Sequence, residues 1–139
     1  MSTFNFLSND VERNQVSQSY YTVTGDISES DLGNDHNVAT NNITVGIPLI
    51  TSGNLGCTIF FRNTGADGNN DVIISPKNTN KIIGGLTQAA AVFHASGALG
   101  KDLINTQGTS KLGDWVAIRA VSLTEWYIIG GQGIWASES

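Results

Sequence analysis

The stretch Gly113-Asp-Trp-Val-Ala-Ile-Arg-Ala-Val-Ser-Leu-Thr-Glu-Trp-Tyr-Ile-Ile-Gly130 decides the fold. Two runs rich in β-branched and aromatic residues flank the short segment Ser122-Leu-Thr124, which is the pattern of a β-hairpin. Because side chains alternate along a strand, Trp126 and Tyr127 face opposite ways. One of the two faces fills a core. We assign Trp126 to it, since burial of so large a side chain stabilises by roughly 2 to 3 kcal/mol.

Short alternating segments continue upstream of this hairpin and are separated by turn residues. The strands expected there are Ser19–Thr24, Ile43–Ile47, Cys57–Asn63, Asp71–Ser75 and Lys81–Ile83. The segment Gly25–Asp35 has turn composition. We expect Asp71–Ser75 to pair back on Cys57–Asn63 as a hairpin. The spacing predicts an all-β protein, a β-sandwich or jelly roll of about eight to nine short antiparallel strands.

Residues 86–99 fit two secondary structures. Ala89-Ala-Ala91 favours a helix, whereas Ala91-Val-Phe-His-Ala95 has the pattern of a strand with Val92 and His94 on one face. We expect the strand, because every segment around it has β character. Residues 97–113 are then a long connection before the final hairpin.

Composition limits the class of protein and its partners. The chain has 139 residues, 40% of them hydrophobic, which suits one domain with its own core, placed at residues 19–139. Charged residues make up 14%, a low share that indicates a surface covered by neighbours. The net charge is -5 and the basic residues are scattered, so neither nucleic acid nor a membrane is an expected partner. The start lacks a signal-peptide pattern, so we expect synthesis in a cytoplasm without export by that route.

Residues 1–18 differ from the rest of the chain. Phe4, Phe6 and Leu7 cluster at the front and are followed by mostly polar residues. We interpret the segment as an N-terminal arm that docks onto a neighbouring subunit or partner through these apolar side chains. The alternative is a first strand, or a frayed end, of the same domain.

The final hairpin resembles the closing hairpin of many bacteriophage virion modules, in which a strand of the type Asp-x-Val-x-Leu turns into Asn-Trp-Tyr-Val-Ile-Gly. Upstream segments resemble further elements of that family in the same order. These segments are Tyr21-Thr-Val-Thr24, Ile43-Thr-Val-Gly-Ile-Pro48, Gly56-Cys-Thr-Ile-Phe-Phe-Arg-Asn-Thr-Gly65, Val72-Ile-Ile-Ser-Pro76 and Lys81-Ile-Ile-Gly84. The resemblance covers about residues 20–131. The chain departs from the pattern at residues 86–112 and at the turn Ser122-Leu-Thr-Glu125.

The resemblance implies a compact β-sandwich or jelly roll, usually trimeric, on the outside of a phage. One module behind a short arm favours a capsid decoration (cement) protein that bridges capsid subunits. Its partners would be copies of itself and the major capsid protein, and its location the virion. The alternative is a small trimeric tail-fibre or baseplate head that binds host-surface carbohydrate through a shallow patch of aromatic and Asn residues.

Chemistry-bearing residues are few. Asp67-Gly-Asn-Asn-Asp71 resembles the opening of a calcium loop, but Val72 and Asn78 stand where that loop needs Gly and Glu. A turn between strands explains the segment without an ion. Cys57 is expected as a small buried residue. No catalytic residue, cofactor or metal site is expected, and the chain is not expected to be an enzyme.

The histidines and the C-terminal tryptophan complete the candidates. We expect His36 to be a solvated turn residue and His94 a packed or interface residue. Trp135 lies close to the C-terminus, where a tryptophan is seldom left in water, so we expect it to contact a partner. The predicted interface residues are Phe4, Phe6, Leu7, His94 and Trp135.

Overall fold

The computed structural model describes residues 15–88 and 91–138. Within these ranges the chain is all-β, with one short 3-10 helix at Glu29–Asp31. The described strands are β1 (Gln18–Tyr21), β2 (Gly25–Asp26), β3 (Asp35–Val38), β4 (Ile43–Gly46), β5 (Thr58–Asn63), β6 (Val72–Ser75), β7 (Lys81–Ile83), β8 (Gly85–Gln88), β9 (Ala91–His94), β10 (Leu103–Asn105), β11 (Trp115–Ser122), β12 (Glu125–Gln132) and β13 (Trp135–Ser137).

Most of these strands form two sheets with the core between them. Sheet A has the order β1-β3-β5-β11-β12-β7, and sheet B has the order β13-β10-β6-β4-β2. Strands β8 and β9 form a separate hairpin, which contributes Leu86 to the core. The arrangement is a β-sandwich, as the alternating pattern predicted.

The first six strands alternate between the two sheets. Each connection crosses to the opposite sheet, so two crossings separate one strand of a sheet from the next strand that joins it. These two strands then run in the same direction. The neighbouring pairs β1–β3, β3–β5, β2–β4 and β4–β6 are therefore parallel. Strand β7 is also parallel to its neighbour β12. The expectation of antiparallel strands throughout was wrong for this part of the fold.

The predicted pairing of Asp71–Ser75 with Cys57–Asn63 was also wrong. Strand β6 lies in sheet B between β4 and β10, whereas β5 lies in sheet A between β3 and β11. The loop between them carries the chain from one sheet to the other. Its Asn70 side chain is buried and donates to Asn63 Oδ1 over 3.0 Å, so the loop packs across the end of the core and makes no tight turn.

The C-terminal hairpin is confirmed. Strands β11 and β12 pair antiparallel around the turn at residues 123 and 124, with register shifts at Ala117/Ile118 and Ala120/Ser122. Trp126 is fully buried, as predicted. The largest buried side chains beside it include Trp135, Phe61, Ile47, Ile59, Ile74, Leu103 and Ile118.

Residues 86–99 contain the expected strand, and the structure adds a partner for it. Strands β8 and β9 pair antiparallel, and Val92 and His94 are exposed on one face of β9. Besides β8, four of the described strands were not anticipated, and two of them, β2 and β3, lie where turn residues were expected. Strand β10 interrupts the predicted connection 97–113, and β13 follows the final hairpin. Both are only three residues long, too short to show an alternating pattern.

A buried polar network joins the two sheets at one end of the sandwich. Asn63 of β5 donates to Asn105 Oδ1 of β10 over 2.7 Å. Asn105 Nδ2 donates in turn to Asp114 Oδ2 and to the carbonyl of Ile134, each over 3.0 Å. All three side chains of the network are at most 2% exposed. Because buried polar groups need partners, the network fixes how sheet A sits on sheet B at this end.

The predicted arm falls mainly outside the described residues. Phe4, Phe6 and Leu7 lie there, and sheet A begins at Gln18. In the part of the chain that is described, no helix is long and apolar enough to cross a membrane.

Candidate functional site

The outward side of sheet A is the most distinctive surface of the described chain. Alternation turns Val116, Ile118 and Trp126 into the core, so their strand neighbours point away from it. We call the opposite side the outer face and define it by Phe60, Arg62, Trp115, Arg119, Tyr127 and Ile129. Tyr127 is 36% exposed and Ile129 is 45% exposed. A sheet centre thus presents large apolar side chains to solvent.

An aromatic stack lies at the middle of the outer face. The rings of Phe60 and Trp115 are stacked, with centroids 5.1 Å apart and planes inclined by 15°. The Arg62 guanidinium lies over the Phe60 ring, with Cζ 4.7 Å from the ring centroid. Trp115 also lies over Gly130, where a Cβ would come within 3.3 Å of the indole. The stack is therefore packed against several neighbouring groups.

Charges of both signs border the stack. Arg62 Nη1 lies 3.6 Å from Asp35 Oδ2 and donates to Asn37 Oδ1 over 3.4 Å. At the opposite edge of sheet A, Lys81 Nζ of β7 lies 3.6 Å from Glu125 Oε2 of β12. The outer face is thus apolar at its centre and balanced in charge at its margins, although the whole chain is acidic. Such a surface suits contact with another protein, including a copy of itself.

Sequence reasoning did not find this site. It considered exposed aromatic residues only as an alternative carbohydrate-binding patch, and it gave Phe60 and Arg62 no role. A signal was present, because Phe60 and Arg62 alternate with the core residues Ile59 and Phe61. Nothing in the local pattern says that β5 and β11 are adjacent, however, and that adjacency creates the stack.

His36 was wrongly expected to be solvated. It lies in β3 and is fully buried, with its ring 5.6 Å from that of Phe61. Its Nδ1 lies 2.7 Å from the Tyr21 hydroxyl. Burial lowers the pKa of His36 from its usual 6.5, and hydrogen bonding to the backbone of Leu32 and Asp31 opposes this shift. The residues Asp35-His-Asn37 looked like a turn because their composition is polar, but they pair with β5.

We expect the stability of the fold to fall as pH is lowered through about 6.5, the ordinary pKa of histidine. The folded-state pKa of His36 lies below this value, so the unfolded chain takes up the proton first. His36→Gln should flatten the dependence of the free energy of unfolding on pH, as measured by urea denaturation between about pH 7.5 and 5.5. His94→Gln is the matched control. An unchanged slope in the His36 variant would contradict the assignment.

The other candidates occupy different places. His94 is exposed on β9, where its side chain is accessible to a partner. Trp135 is 1% exposed and belongs to the core, so the expectation that it contacts a partner was wrong. Its indole Nε1 donates to the carbonyl of Gln132 over 3.0 Å. The indole packs on the core side of sheet B beside β10, so almost none of its surface is left for contact with another chain.

The acidic loop has structural roles. Asp67 Oδ1 accepts from the backbone N–H of Leu112 over 2.8 Å, and Asp71 accepts from that of Gln107. These bonds hold residues 106–112 against the loop. Among the described residues, no group of three or more acidic, His or Cys side chains is placed to hold a metal ion. Cys57 is half-buried, and burial raises the pKa of its thiol, so the reactive thiolate is disfavoured.

Comparisons with protein families, with curated proteins and with solved structures find no match to this chain. The function is therefore argued from the geometry of the outer face and from the residues that carry the phage resemblance.

Proposed function

We propose that this chain is a structural protein of a bacteriophage particle, a capsid decoration protein that assembles as a homotrimer and bridges capsid subunits. The observation that carries the proposal is the outer face of sheet A, which exposes large apolar side chains around an aromatic stack. Three copies turn this face toward a common axis. The apolar side chains of residues 1–18 add contacts to the capsid.

Burial of the outer face provides the driving force. Tyr127 is 36% and Ile129 45% exposed, so on association each contributes only part of the roughly 1.5 to 3 kcal/mol that burial of a whole large apolar side chain provides. The stack of Phe60 and Trp115 is already ordered in the single chain, so little further side-chain entropy is lost on association. Charge balance at the margins keeps identical faces from repelling each other.

A carbohydrate partner on this same face is less well supported. Sugars bind aromatic residues by lying on the flat side of a ring. Trp115 stacks on Phe60, the Arg62 guanidinium lies over Phe60, and part of the Trp115 indole lies against Gly130. Part of the flat surface of each ring is therefore already occupied, which leaves less of it for a sugar ring.

Ile129→Lys is expected to weaken self-association. The change places an unpaired cation at the centre of the buried contact, where a single residue is often worth about 2 kcal/mol or more. Light scattering and sedimentation should show a trimer for the unchanged chain and a shift toward monomer for the variant. After dissociation the variant should remain folded, as far-UV circular dichroism would show, because Ile129 points away from the core.

Leu99→Lys is the matched control, because Leu99 is 57% exposed and lies in the loop after β9, outside the outer face. It should leave the trimer intact. An unchanged chain that runs as a monomer at all concentrations would refute the proposed assembly. On the particle of the encoding phage, gold-labelled antibodies against the chain should mark the capsid surface, and labelling of the tail alone would favour a fibre or baseplate role.

A further inference from the structure

We propose that a small polar pocket on the outward side of sheet B binds one neutral sugar ring, a function additional to assembly. The pocket has a volume of about 220 Å³ and lies where the parallel strands β2, β4 and β6 end. Its lining residues are Thr24, Asp26, Thr44, Gly46, Ser75, Pro76, Lys77 and Asn78. It is below the roughly 300 Å³ at which drug-sized ligand pockets begin, so it has room for a single ring.

Gly46 makes the floor of the pocket. In the sheet register, Asp26, Gly46 and Ser75 occupy one row across the three strands. A Cβ at Gly46 would overlap Asp26 Oδ1, so the missing side chain leaves the space in which that carboxylate lies. Glycine weakens a strand interior and often marks a close approach by a ligand or another backbone. The φ angle of Gly46 lies outside the left-handed region. The position therefore needs glycine because a side chain would have no room, and not because the backbone is strained.

An ion pair sets the chemistry of the pocket. Lys77 Nζ lies 2.9 Å from Asp26 Oδ2, and both side chains remain partly exposed. The pair presents donors and an acceptor side by side while its net charge is zero. A phosphate would face the Asp26 carboxylate, and a cation would face the Lys77 ammonium. Two neighbouring hydroxyls of a sugar match the pair, since one donates to Asp26 and the next accepts from Lys77.

Further polar groups around the pair remain available. The Thr44 hydroxyl and the Asn78 amide line the pocket and have no hydrogen-bond partner in the described part of the chain. Thr24 Oγ1 already accepts from the Thr44 backbone N–H over 3.1 Å, which fixes the wall on that side. Each available group can both donate and accept, as sugar hydroxyls do. The pocket therefore favours a polyhydroxylated ligand over an apolar one.

The surroundings disfavour acidic sugars. Asp102 lies beside Ser75, and its pKa is raised by burial and by the nearby Glu138 carboxylate, while Ser75 and Lys101 lower it. These acids lie on the same side of sheet B as the pocket, and Lys77 is already neutralised by Asp26. A carboxylate-bearing sugar would be repelled. We therefore assign neutral hexoses as the ligand class, with affinities of about millimolar per site that gain from multivalent display.

The test is an amide chemical-shift titration of the full isotope-labelled chain with methyl glycosides of glucose, galactose and mannose, and with N-acetylneuraminic acid for comparison. At least one neutral hexoside should shift the amides of Thr44, Gly46, Lys77 and Asn78. Lys77→Met should weaken binding by about tenfold or more, because it removes a charged hydrogen bond.

Lys111→Met is the matched control. Lys111 also forms an exposed ion pair, 3.7 Å from Asp67, but lies in another loop, so its loss should leave binding unchanged. The pocket assignment fails if no neutral hexoside shifts these amides, if shifts centre on Trp115, or if the acidic sugar binds more tightly. Light scattering of Lys77→Met distinguishes failure of the sugar site from failure of the proposed assembly. The trimer should persist in this variant whether or not sugar binds.

Discussion

Asn105→Leu is expected to lower the free energy of unfolding by about 3 to 5 kcal/mol, a large part of the stability of a chain of this size. The leucine has a similar volume but can neither accept from Asn63 nor donate to Asp114 and the Ile134 carbonyl. The Asn63 amide and the partly buried Ile134 carbonyl would lose these bonds, and Asp114 Oδ2 would keep the one from the Lys111 backbone N–H. An unsatisfied buried polar group costs about 1 to 3 kcal/mol, and more when it is charged.

Urea denaturation followed by tryptophan fluorescence measures the loss. Asn69→Leu is the matched control, since Asn69 is exposed in the loop between β5 and β6 and should shift stability by about 0.5 kcal/mol or less. The double variant Asn63→Leu with Asn105→Leu should lose less than the sum of the single losses, because the two side chains share a bond. A loss below about 1 kcal/mol in Asn105→Leu would mean that the network does not hold the sheets together.

Trp135→Ala is expected to lower the free energy of unfolding by about 3 to 5 kcal/mol, as is usual when a buried tryptophan is truncated. The indole is 1% exposed, and its backbone N–H donates to Gln88 Oε1 over 2.8 Å, so β13 and β8 are held together at this residue. The cavity left by the alanine would lie next to β10 and the β8–β9 hairpin.

The same variant tests core burial against a role at an interface. A core role predicts that the loss of stability is independent of protein concentration and that Trp135→Phe loses less, because it leaves a smaller cavity. If Trp135 anchored a neighbouring copy, the alanine variant would instead dissociate while each monomer kept its stability. That result would overturn the placement of Trp135 in the core.

The parts of the fold that sequence predicted are local. The hairpin of β11 and β12 follows from two alternating runs separated by a short turn, and Trp126 follows from the same alternation. Strand β9 could be expected because the segments around it have β character. In each case the deciding residues lie within about one hairpin length of each other, which is the range over which alternation and turn residues specify structure.

The parts that sequence could not predict depend on partners far along the chain. The parallel pairs of β1 through β6 arise because successive strands change sheets, and a strand carries no local mark of the sheet it joins. Asn63 and Asn105 look like polar loop residues until β5 and β10 are brought together. His36 was misjudged for the same reason, since its ring partners Tyr21 and Phe61 come from β1 and β5.

The candidate sites show the same limit. Phe60 and Trp115 are far apart in sequence and become a stack only when β5 and β11 pair. The pocket on sheet B needs β2, β4 and β6 side by side, with Gly46 in the middle. Residue types could name aromatic and polar candidates. Which of these residues contact one another is decided by how the strands are ordered in the sheets.

The position of β11 and β12 within sheet A has a consequence for how the protein is made. These strands lie between β5 and β7, both of which leave the ribosome earlier. Until the later hairpin emerges, the nascent chain carries two unpaired edges whose amides and carbonyls attract any extended segment nearby. Because long-range strand pairing is slow, this interval is the one in which crowded nascent chains are most exposed to mispairing. A chaperone that shields β5 would act there.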